Sequence, residues 1–186
     1  MSRFDIAALP LDGLKRITRL RLGDARGFLA RLFCADELSA AGWCQPIAQI
    51  NHSFTAVCGT VRGMHYQKPP FTEAKLVSCL RGSVWDVAVD LRPDSPTFLQ
   101  WHAETLSADN RCAMLIPEGF AHGFQTLTGD VELLYCHSAP YASDHEGALN
   151  ALDPRLAIAW PQPVLDRSLR DQSHPLLGPA FEGVVL

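Results

Sequence analysis

The amino-acid sequence predicts an all-β protein, an antiparallel double-sheet jelly roll with short peripheral helices. Two observations carry this prediction. Short apolar runs are separated at regular intervals by turn-forming glycine, proline, aspartate and serine, and residues 85–91 alternate between apolar and small or acidic side chains. An alternation with a period of two indicates a half-buried strand. Many short strands at even spacing are typical of sandwiches and small barrels, which can hold a ligand in their mouth.

The strands are predicted where apolar runs are bounded by turn residues, at 74–81, 85–91, 98–106, 111–116, 122–127 and 131–136. Residues 92–96, 117–119 and 128–130 contain the proline, glycine and aspartate that favour turns. Residues 107–110 are predicted to be the loop of a β-hairpin.

Little of the sequence favours helix. A short helix is predicted over Asp36–Ala41, where Asp36 can cap the first free N–H groups and Gly42 can end the turn. From Asp144 onward the chain is rich in aspartate, proline and serine, and we expect it to wrap the barrel as loops and short helices.

Composition narrows the class of protein. The chain has 186 residues of which 47% are hydrophobic, enough to bury the core of one domain spanning residues 1–186. A formal charge of −4 without a basic run argues against nucleic acid as a partner. No apolar run is long enough for a membrane span, and the first residues lack a basic, apolar leader, so we expect a soluble cytoplasmic protein. The six cysteines form no C-x-x-C pair and are expected to be buried free thiols.

Two segments concentrate unusual polar residues, Val61–Gln67 and Ile116–Phe124. Each places one histidine, His65 or His122, beside glycine and aromatic residues, although a lone histidine in a strand is more often a packed or surface residue than a catalyst. The second segment has the P-x-G-x-x-H spacing of the second cupin motif, which delivers a histidine to the inside of a jelly roll.

A metal-binding cupin would also carry H-x-H in its first motif, and here that motif reads His65-Tyr66-Gln67. His65, Glu73 and His122 could still hold zinc or iron, but two imidazoles and a carboxylate are a frequent chance combination. We therefore expect no catalytic metal and no cofactor.

Taken together, the motifs resemble those of the dTDP-4-dehydrorhamnose 3,5-epimerase family. The matching segments follow one another over nearly the whole chain: DARGF (24–28), QINHS (49–53), RGMHYQ (62–67), KLV (75–77), GSVWDVAVDLR (82–92), SPTF (95–98), IPEGFAHGF (116–124) and LY (134–135). The resemblance implies a metal-free cupin fold and an enzyme that inverts carbons flanking the ketone of a nucleotide-linked 4-keto-6-deoxy sugar.

Inverting such a carbon needs a base on one face, a donor or cation for the enolate oxygen, and an acid on the other face. An imidazole, with an ordinary pKa of about 6.5, is mostly neutral at pH 7 and suits the base. The resemblance assigns the base to His65, its orienting carboxylate to Asp171, the enolate-stabilising cation to Lys75 and the opposite-face acid to Tyr135. Without the resemblance, Lys75 would be interpreted as a solvated lysine on a strand and Tyr135 as a core tyrosine.

The other end of the substrate, a nucleoside diphosphate, needs cationic donors and aromatic surface. The resemblance places Arg62 and His122 near the phosphates, and Gln49 and Asn51 in the polar part of the substrate site. Tyr141 retains a substrate-site tyrosine.

Arg26 and Phe28 match an N-terminal strand that, in the family, crosses to the partner subunit and covers the nucleotide. The resemblance thus implies a homodimer. Two positions depart from the family pattern. Arg31 stands where a nucleoside-binding glutamate is usual, so either the nucleotide preference is altered or Arg31 simply points to solvent from its strand. Residues 136–138 (Cys-His-Ser) replace a Lys-Thr-rich sequence.

Three functions remain open. The first is a cofactor-independent epimerase acting at C3, at C5 or at both carbons. The second is a keto-isomerase of nucleotide sugars, which moves the carbonyl; Lys75 and Tyr135 together favour epimerisation. The third is a non-catalytic cupin that binds sugar nucleotides or serves a structural role, which would not need base, orienter, cation and acid together.

Overall fold

Two antiparallel sheets packed face to face form the fold in the computed structural model, which describes residues 2–186. One sheet has, in spatial order, β1 (Phe4–Ala8), β2 (Lys15–Arg19), β10 (Cys112–Ile116), β7 (Lys75–Arg81), β12 (Val131–His137) and β5 (Gln49–Thr55). The other has β13 (Glu146–Ala148), β6 (Val61–Gln67), β11 (Phe120–Thr126), β8 (Ser83–Asp90) and β9 (Trp101–Ser107). A separate hairpin consists of β3 (Arg21–Asp24) and β4 (Gly27–Ala30). The predicted all-β jelly roll is confirmed.

The main core lies between the two sheets. Val77 and Met114 enter it from the six-stranded sheet, and Val84, Ala88 and Phe124 enter it from the five-stranded sheet. These side chains are fully or almost fully buried.

Because successive strand residues point to opposite faces, most strands have a second face, which a separate apolar layer covers. The prediction that the strand at 85–91 is half-buried is therefore wrong: both faces of β8 are covered, and Asp86 and Asp90 are fully buried.

Helix α1 (Ala35–Ser39) belongs to the layer outside the six-stranded sheet. The prediction that Asp36 caps this helix is wrong: Cys34 is the N-cap, and no side chain caps it. Leu38, fully buried in the cluster that contains Trp43, anchors the helix by packing instead. Among residues 2–186 no helix has the length and apolar character of a membrane span.

The predicted hairpin at residues 107–110 is also wrong. Within the described chain β9 pairs with β8, whereas β10 pairs with β2 and β7, so this loop crosses from one sheet to the other. Leu106 and Met114 both point into the core between the sheets, which puts their strands on opposite sides of it. β9 begins at Trp101 rather than at residue 98, because Ser95 and Thr97 are held in turns by hydrogen bonds to the Asp90 carboxylate. β11 begins two residues earlier than predicted.

The C-terminal part of the chain wraps the outer face of the five-stranded sheet, as expected. Trp160 packs edge-on against Trp85, with ring centroids 5.7 Å apart. The Trp101 indole N–H donates to the Leu156 carbonyl at 3.0 Å. Apart from β13, a 3₁₀ turn at Ser143–His145 and the short helix α2 (Leu169–Ser173), this region is irregular. Its path brings α2 against β6.

Candidate active site

A cleft of about 490 Å³ opens between the two sheets. Strands β5, β7 and β12 supply one wall, and β6 and β11 supply the other. The side chains that line it include the following predicted site residues: Asn51, Arg62, His65, Lys75, His122, Tyr135 and Tyr141. Its volume lies within the range of small-ligand sites.

His65, on β6, is held by a carboxylate from the far end of the chain. Its Nε2 lies 2.8 Å from Asp171 Oδ1, and Asp171 is 3% exposed. The Asp171 backbone N–H donates to the side chain of Ser168, the N-cap of α2, at 3.0 Å. Burial alone would raise the pKa of Asp171, but the hydrogen bond and charge of His65 hold that pKa below its usual value. An ionised Asp171 keeps the proton of a neutral imidazole on Nε2 and leaves the Nδ1 lone pair as a base.

Two glycines let β6 and β11 approach closely beside this histidine. A Cβ on Gly63, whose φ is +122°, would lie 2.5 Å from Gly123 Cα and 2.8 Å from the His122 carbonyl oxygen. The strand register then places His65 directly opposite His122. The glycine in each motif therefore brings the two histidines to the same cleft.

His122 forms a second histidine–aspartate pair. Its Nε2 lies 2.7 Å from Oδ1 of Asp86, which is on β8 and fully buried. Burial raises the pKa of Asp86, and His122 only partly opposes that rise. Arg62 is exposed beside this pair, and one of its guanidinium N–H groups donates to Thr55 Oγ1 at 3.3 Å. This side of the cleft is rich in donors suited to an anion.

Lys75 begins β7, with its side chain only 9% exposed. Its ammonium lies 3.0 Å from Glu73 Oε1 and donates to the His65 carbonyl oxygen at 3.4 Å. Tyr135, on β12, accepts a hydrogen bond from Ser53 Oγ at 3.4 Å. Burial raises the pKa of Tyr135, so its O–H keeps its proton at neutral pH.

Polar residues also cluster at the outer edge of the cleft. The Tyr141 hydroxyl donates to Glu146 Oε2 at 2.7 Å, and Arg170 pairs with the same carboxylate. The Tyr141 backbone N–H donates to Gln49 Oε1 at 3.0 Å, and Gln49 Nε2 donates to Asn51 Oδ1 at 3.0 Å. Gln49 therefore holds the side chain of Asn51 by a hydrogen bond.

The sequence profile of the family described as dTDP-4-dehydrorhamnose 3,5-epimerase matches residues 8–178. The chain belongs to this family. A dTDP-4-dehydrorhamnose 3,5-epimerase of Sinorhizobium fredii is 39% identical over 171 residues, 91% of this chain and 88% of that protein. A dTDP-4-dehydrorhamnose 3-epimerase of Streptomyces niveus is 37% identical over 179 residues, 96% of this chain and 86% of that protein.

Solved structures show the same fold. The crystal structure of dTDP-4-dehydrorhamnose 3,5-epimerase from Bacillus anthracis, with TDP and PPi bound, has a TM-score of 0.88 and 39% identity, covering 94% of this chain and 99% of that one. The predicted family, the cupin-type fold and the epimerase activity are confirmed. The chain is an isomerase acting on carbohydrates, an epimerase of dTDP-linked 4-keto-6-deoxy sugars.

Not all predicted site residues of this epimerase lie in the cleft. Gln49 and Asp171 stand one hydrogen bond behind the residues that line it. Arg26 and Phe28 are elsewhere, exposed on the β3–β4 hairpin. Arg26 pairs with Asp24 there, and the Arg21 guanidinium lies 4.1 Å from the Phe28 ring centroid.

Several residues of the site were not predicted from the sequence. Asp86, Ser53 and Glu146 each bond a predicted residue. Glu73 had been considered only as a metal ligand, and His137 only as part of a departure from the family pattern. Strand alternation did place Asp86 in the predicted strand 85–91, but no sequence signal indicated that it would bond His122.

One cluster in residues 2–186 brings three metal-ligating residues together, with ligand atoms of His65, Asp171 and His174 within 4.8 Å of one another. His65 and Asp171 already hydrogen-bond to each other, so a metal bound there would have to break the contact between the base and its carboxylate. Glu73 contacts Lys75 and His137 instead of joining a set with His65. The absence of a catalytic metal stays a prediction.

Proposed function

We propose that this epimerase inverts C3, C5 or both carbons of its dTDP-linked 4-keto-6-deoxy sugar, with His65 as base and Tyr135 as the opposite acid. The observation that carries the proposal is their placement. His65 lines the cleft from the five-stranded sheet, and Tyr135 lines it from the six-stranded sheet. A sugar ring between the two walls would present one face to each.

The geometry supports a proton-transfer sequence through an enolate. His65 Nδ1 takes the proton from the carbon beside the ketone, and Asp171 balances the positive charge that develops on the ring. The Lys75 ammonium donates to the enolate oxygen. Tyr135 delivers its O–H proton to the other face of the carbon, which inverts it. Proton exchange with solvent then restores the imidazole and the phenol.

The nucleotide end is proposed to lie toward Arg62 and His122. Arg62 supplies an exposed guanidinium, and Asp86 orients the His122 ring from within the sheet. Asn51, supported by Gln49, and Tyr141 would bind the polar edge of the substrate. The Bacillus anthracis relative, which holds TDP and PPi, supports a nucleoside diphosphate as part of the substrate.

A homodimer is proposed from the exposed apolar side chains. Phe28 and Leu29 on the β3–β4 hairpin are 60% and 72% exposed, and Ile50 and Phe54 on the sheet-edge strand β5 are 58% and 53% exposed. Apolar surface of this kind marks association sites. Arg26 and Phe28 would then cover the partner's nucleotide.

A cytoplasmic location is supported by the six cysteines, which are all free. The prediction that they are buried is correct only for Cys79 and Cys136, since Cys44 is exposed and the other three are partly exposed.

The decisive experiment uses a dTDP-4-keto-6-deoxy sugar in deuterated water, with NMR of the product. Two labelled carbons would identify a double epimerase, and one would identify a mono-epimerase. A product with a relocated carbonyl would identify a keto-isomerase, and no label with intact binding would identify a binding protein. Tyr135→Phe should keep deuterium exchange at the acidic carbon while losing inversion, since the base remains. Unchanged inversion would reject Tyr135 as the acid.

A further inference from the structure

A line of hydrogen bonds runs along one wall of the cleft, from the largely buried Lys75 to the polar edge at the exposed Asn51 and the partly buried Gln49. Lys75 Nζ lies 3.0 Å from Glu73 Oε1, and Glu73 Oε2 lies 2.7 Å from His137 Nδ1. His137 Nε2 lies 3.3 Å from Asn51 Nδ2, and Asn51 Oδ1 accepts from Gln49 Nε2 at 3.0 Å. We call this line the Glu73–His137 relay. The side chains of Glu73, Lys75 and His137 are 9%, 9% and 11% exposed.

With a neutral His137 imidazole, the chemistry of the members gives one arrangement of protons. Burial would raise the pKa of Glu73, but the hydrogen bond from His137 and the charge of Lys75 hold it below its usual value. An ionised carboxylate only accepts hydrogen bonds, so Nδ1 of His137 carries the proton. Nε2 is then an acceptor and takes a hydrogen from the Asn51 amide. This orientation leaves Asn51 Oδ1 toward Gln49.

Sheet register builds the relay. His137 ends β12, the strand between β5 and β7, and pairs with Gln49 on one side and with Lys75 on the other. Its ring also stacks on Tyr135, with centroids 6.0 Å apart and an interplanar angle of 22°. His137 therefore contacts the proposed acid Tyr135 and the amide of Asn51 directly. It is linked to Lys75 through Glu73. It lies in the segment where the chain departs from the family pattern.

The relay also limits what the ammonium can do. An ammonium has three N–H donors. Glu73 and the His65 carbonyl oxygen take two of them, which leaves the third for the enolate oxygen. A lysine held at two points is positioned before the reaction, so little reorganisation is needed when charge develops on the substrate.

We propose that Glu73 and His137 are positioning residues of this epimerase, with Glu73 holding Lys75 toward the ketone and His137 holding both Glu73 and the substrate-binding amide of Asn51. The inference rests on the proposed roles of Lys75 and Asn51. One imidazole thereby serves the catalytic side of the cleft through Nδ1 and the binding side through Nε2.

The tautomer of His137 is the direct test, and it does not depend on activity. In ¹⁵N-histidine-labelled protein, two-bond ¹H–¹⁵N correlation spectra should show His137 protonated on Nδ1, with its signals assigned by their loss in His137→Asn. Glu73→Gln should move the proton to Nε2, because the side-chain amide can offer an N–H to Nδ1. A wild-type His137 protonated on Nε2 would overturn the proposal.

Two substitutions separate the halves of the relay. In His137→Asn the amide nitrogen takes the place of Nδ1 and still donates to Glu73, so kcat should stay near wild type while KM rises. In His137→Gln the longer amide reaches Asn51 but not Glu73, so kcat should fall about 10- to 100-fold with KM near wild type. His102, which pairs with Glu104 at 2.8 Å on β9, provides the same two substitutions outside the cleft as controls.

The opposite shifts in kcat and KM are the signature of positioning. Equal losses in both variants would show a role in packing alone and overturn the proposal, as would wild-type constants in both. A wild-type protein without isotope exchange would contradict the proposed function. The His137 tautomer would still decide whether the relay exists.

Discussion

Replacing Asp171 with asparagine tests the base most sharply, because it removes one charge and almost no volume. The His65–Asp171 contact of 2.8 Å is a charge-assisted hydrogen bond at a residue only 3% exposed. Such bonds contribute about 1.5–3 kcal/mol. If that whole energy supports the imidazolium that forms as the proton is taken, Asp171→Asn should slow turnover about 10- to 160-fold, at about 1.36 kcal/mol per tenfold.

The assay is the rate of deuterium incorporation into the dTDP-4-keto-6-deoxy sugar, with dTDP affinity and melting temperature measured in parallel. Affinity should stay near wild type, since Asp171 does not line the cleft. Asp153→Asn is a matched control. Asp153 is 2% exposed in the same C-terminal region and accepts from the Arg155 backbone N–H at 2.7 Å, so it can lower stability but not turnover. A wild-type exchange rate in Asp171→Asn would refute the reasoning.

Three further results are expected. Activity should survive exhaustive chelation, and elemental analysis should find no stoichiometric metal, because Gln67 stands where a metal cupin has its second imidazole; one metal per chain that restores lost activity would contradict this. Arg31 pairs with Glu37, whose pKa is lowered to about 2 by hydrogen bonds from Ser2 Oγ and the Arg3 N–H and by Arg31. Arg31→Glu should therefore lower the melting temperature relative to Arg31→Gln. The same substitution should shift the affinity ranking among dTDP, CDP, GDP and UDP toward dTDP. Four unchanged affinities would show that this residue does not recognise the base. Burial opposes ionisation of Asp90, but hydrogen bonds from Arg92, Ser95 and Thr97 hold its pKa below the usual value. The contribution of the ionised Asp90 to stability is thus present above about pH 4 and lost as pH falls through the lowered pKa. Asp90→Asn should therefore flatten the acid loss of melting temperature below about pH 4, and an unchanged slope would contradict this.

Local sequence patterns were sufficient for the strands in the middle of the chain, β7 to β12, which are six of the thirteen observed in residues 2–186. The alternation at 85–91 and the bounding turn residues predicted β7, β8, β10 and β12 within a few residues of their observed ends. Local patterns could not show whether the strand after a loop pairs with the preceding strand or joins the other sheet. Leu106 and Met114 would look the same in a hairpin and in a crossover, and only the shared core between the sheets places them on opposite walls.

The site shows the same division. Family motifs named His65, Lys75 and Tyr135, and the fold brings all three to one cleft. Apart from Asp171, which the family motifs did name as the partner of His65, the side chains that hydrogen-bond these residues were not predicted, because those contacts depend on strand register. His137 comes beside Lys75 only once β12 pairs with β7, an adjacency that no periodicity along the chain encodes. The α1 cap failed for a related reason, since burial of Leu38 outweighed a local hydrogen bond.

The separation of His65 and Asp171 along the chain has a consequence for biosynthesis. They are 106 residues apart, and the carboxylate sits on α2, near the end of the chain. At about 5–20 residues per second, a ribosome needs roughly one to five seconds to add the residues between β13, the last strand of the two sheets, and Asp171. A nascent chain can thus contain every strand of the cleft while His65 still lacks its orienting carboxylate.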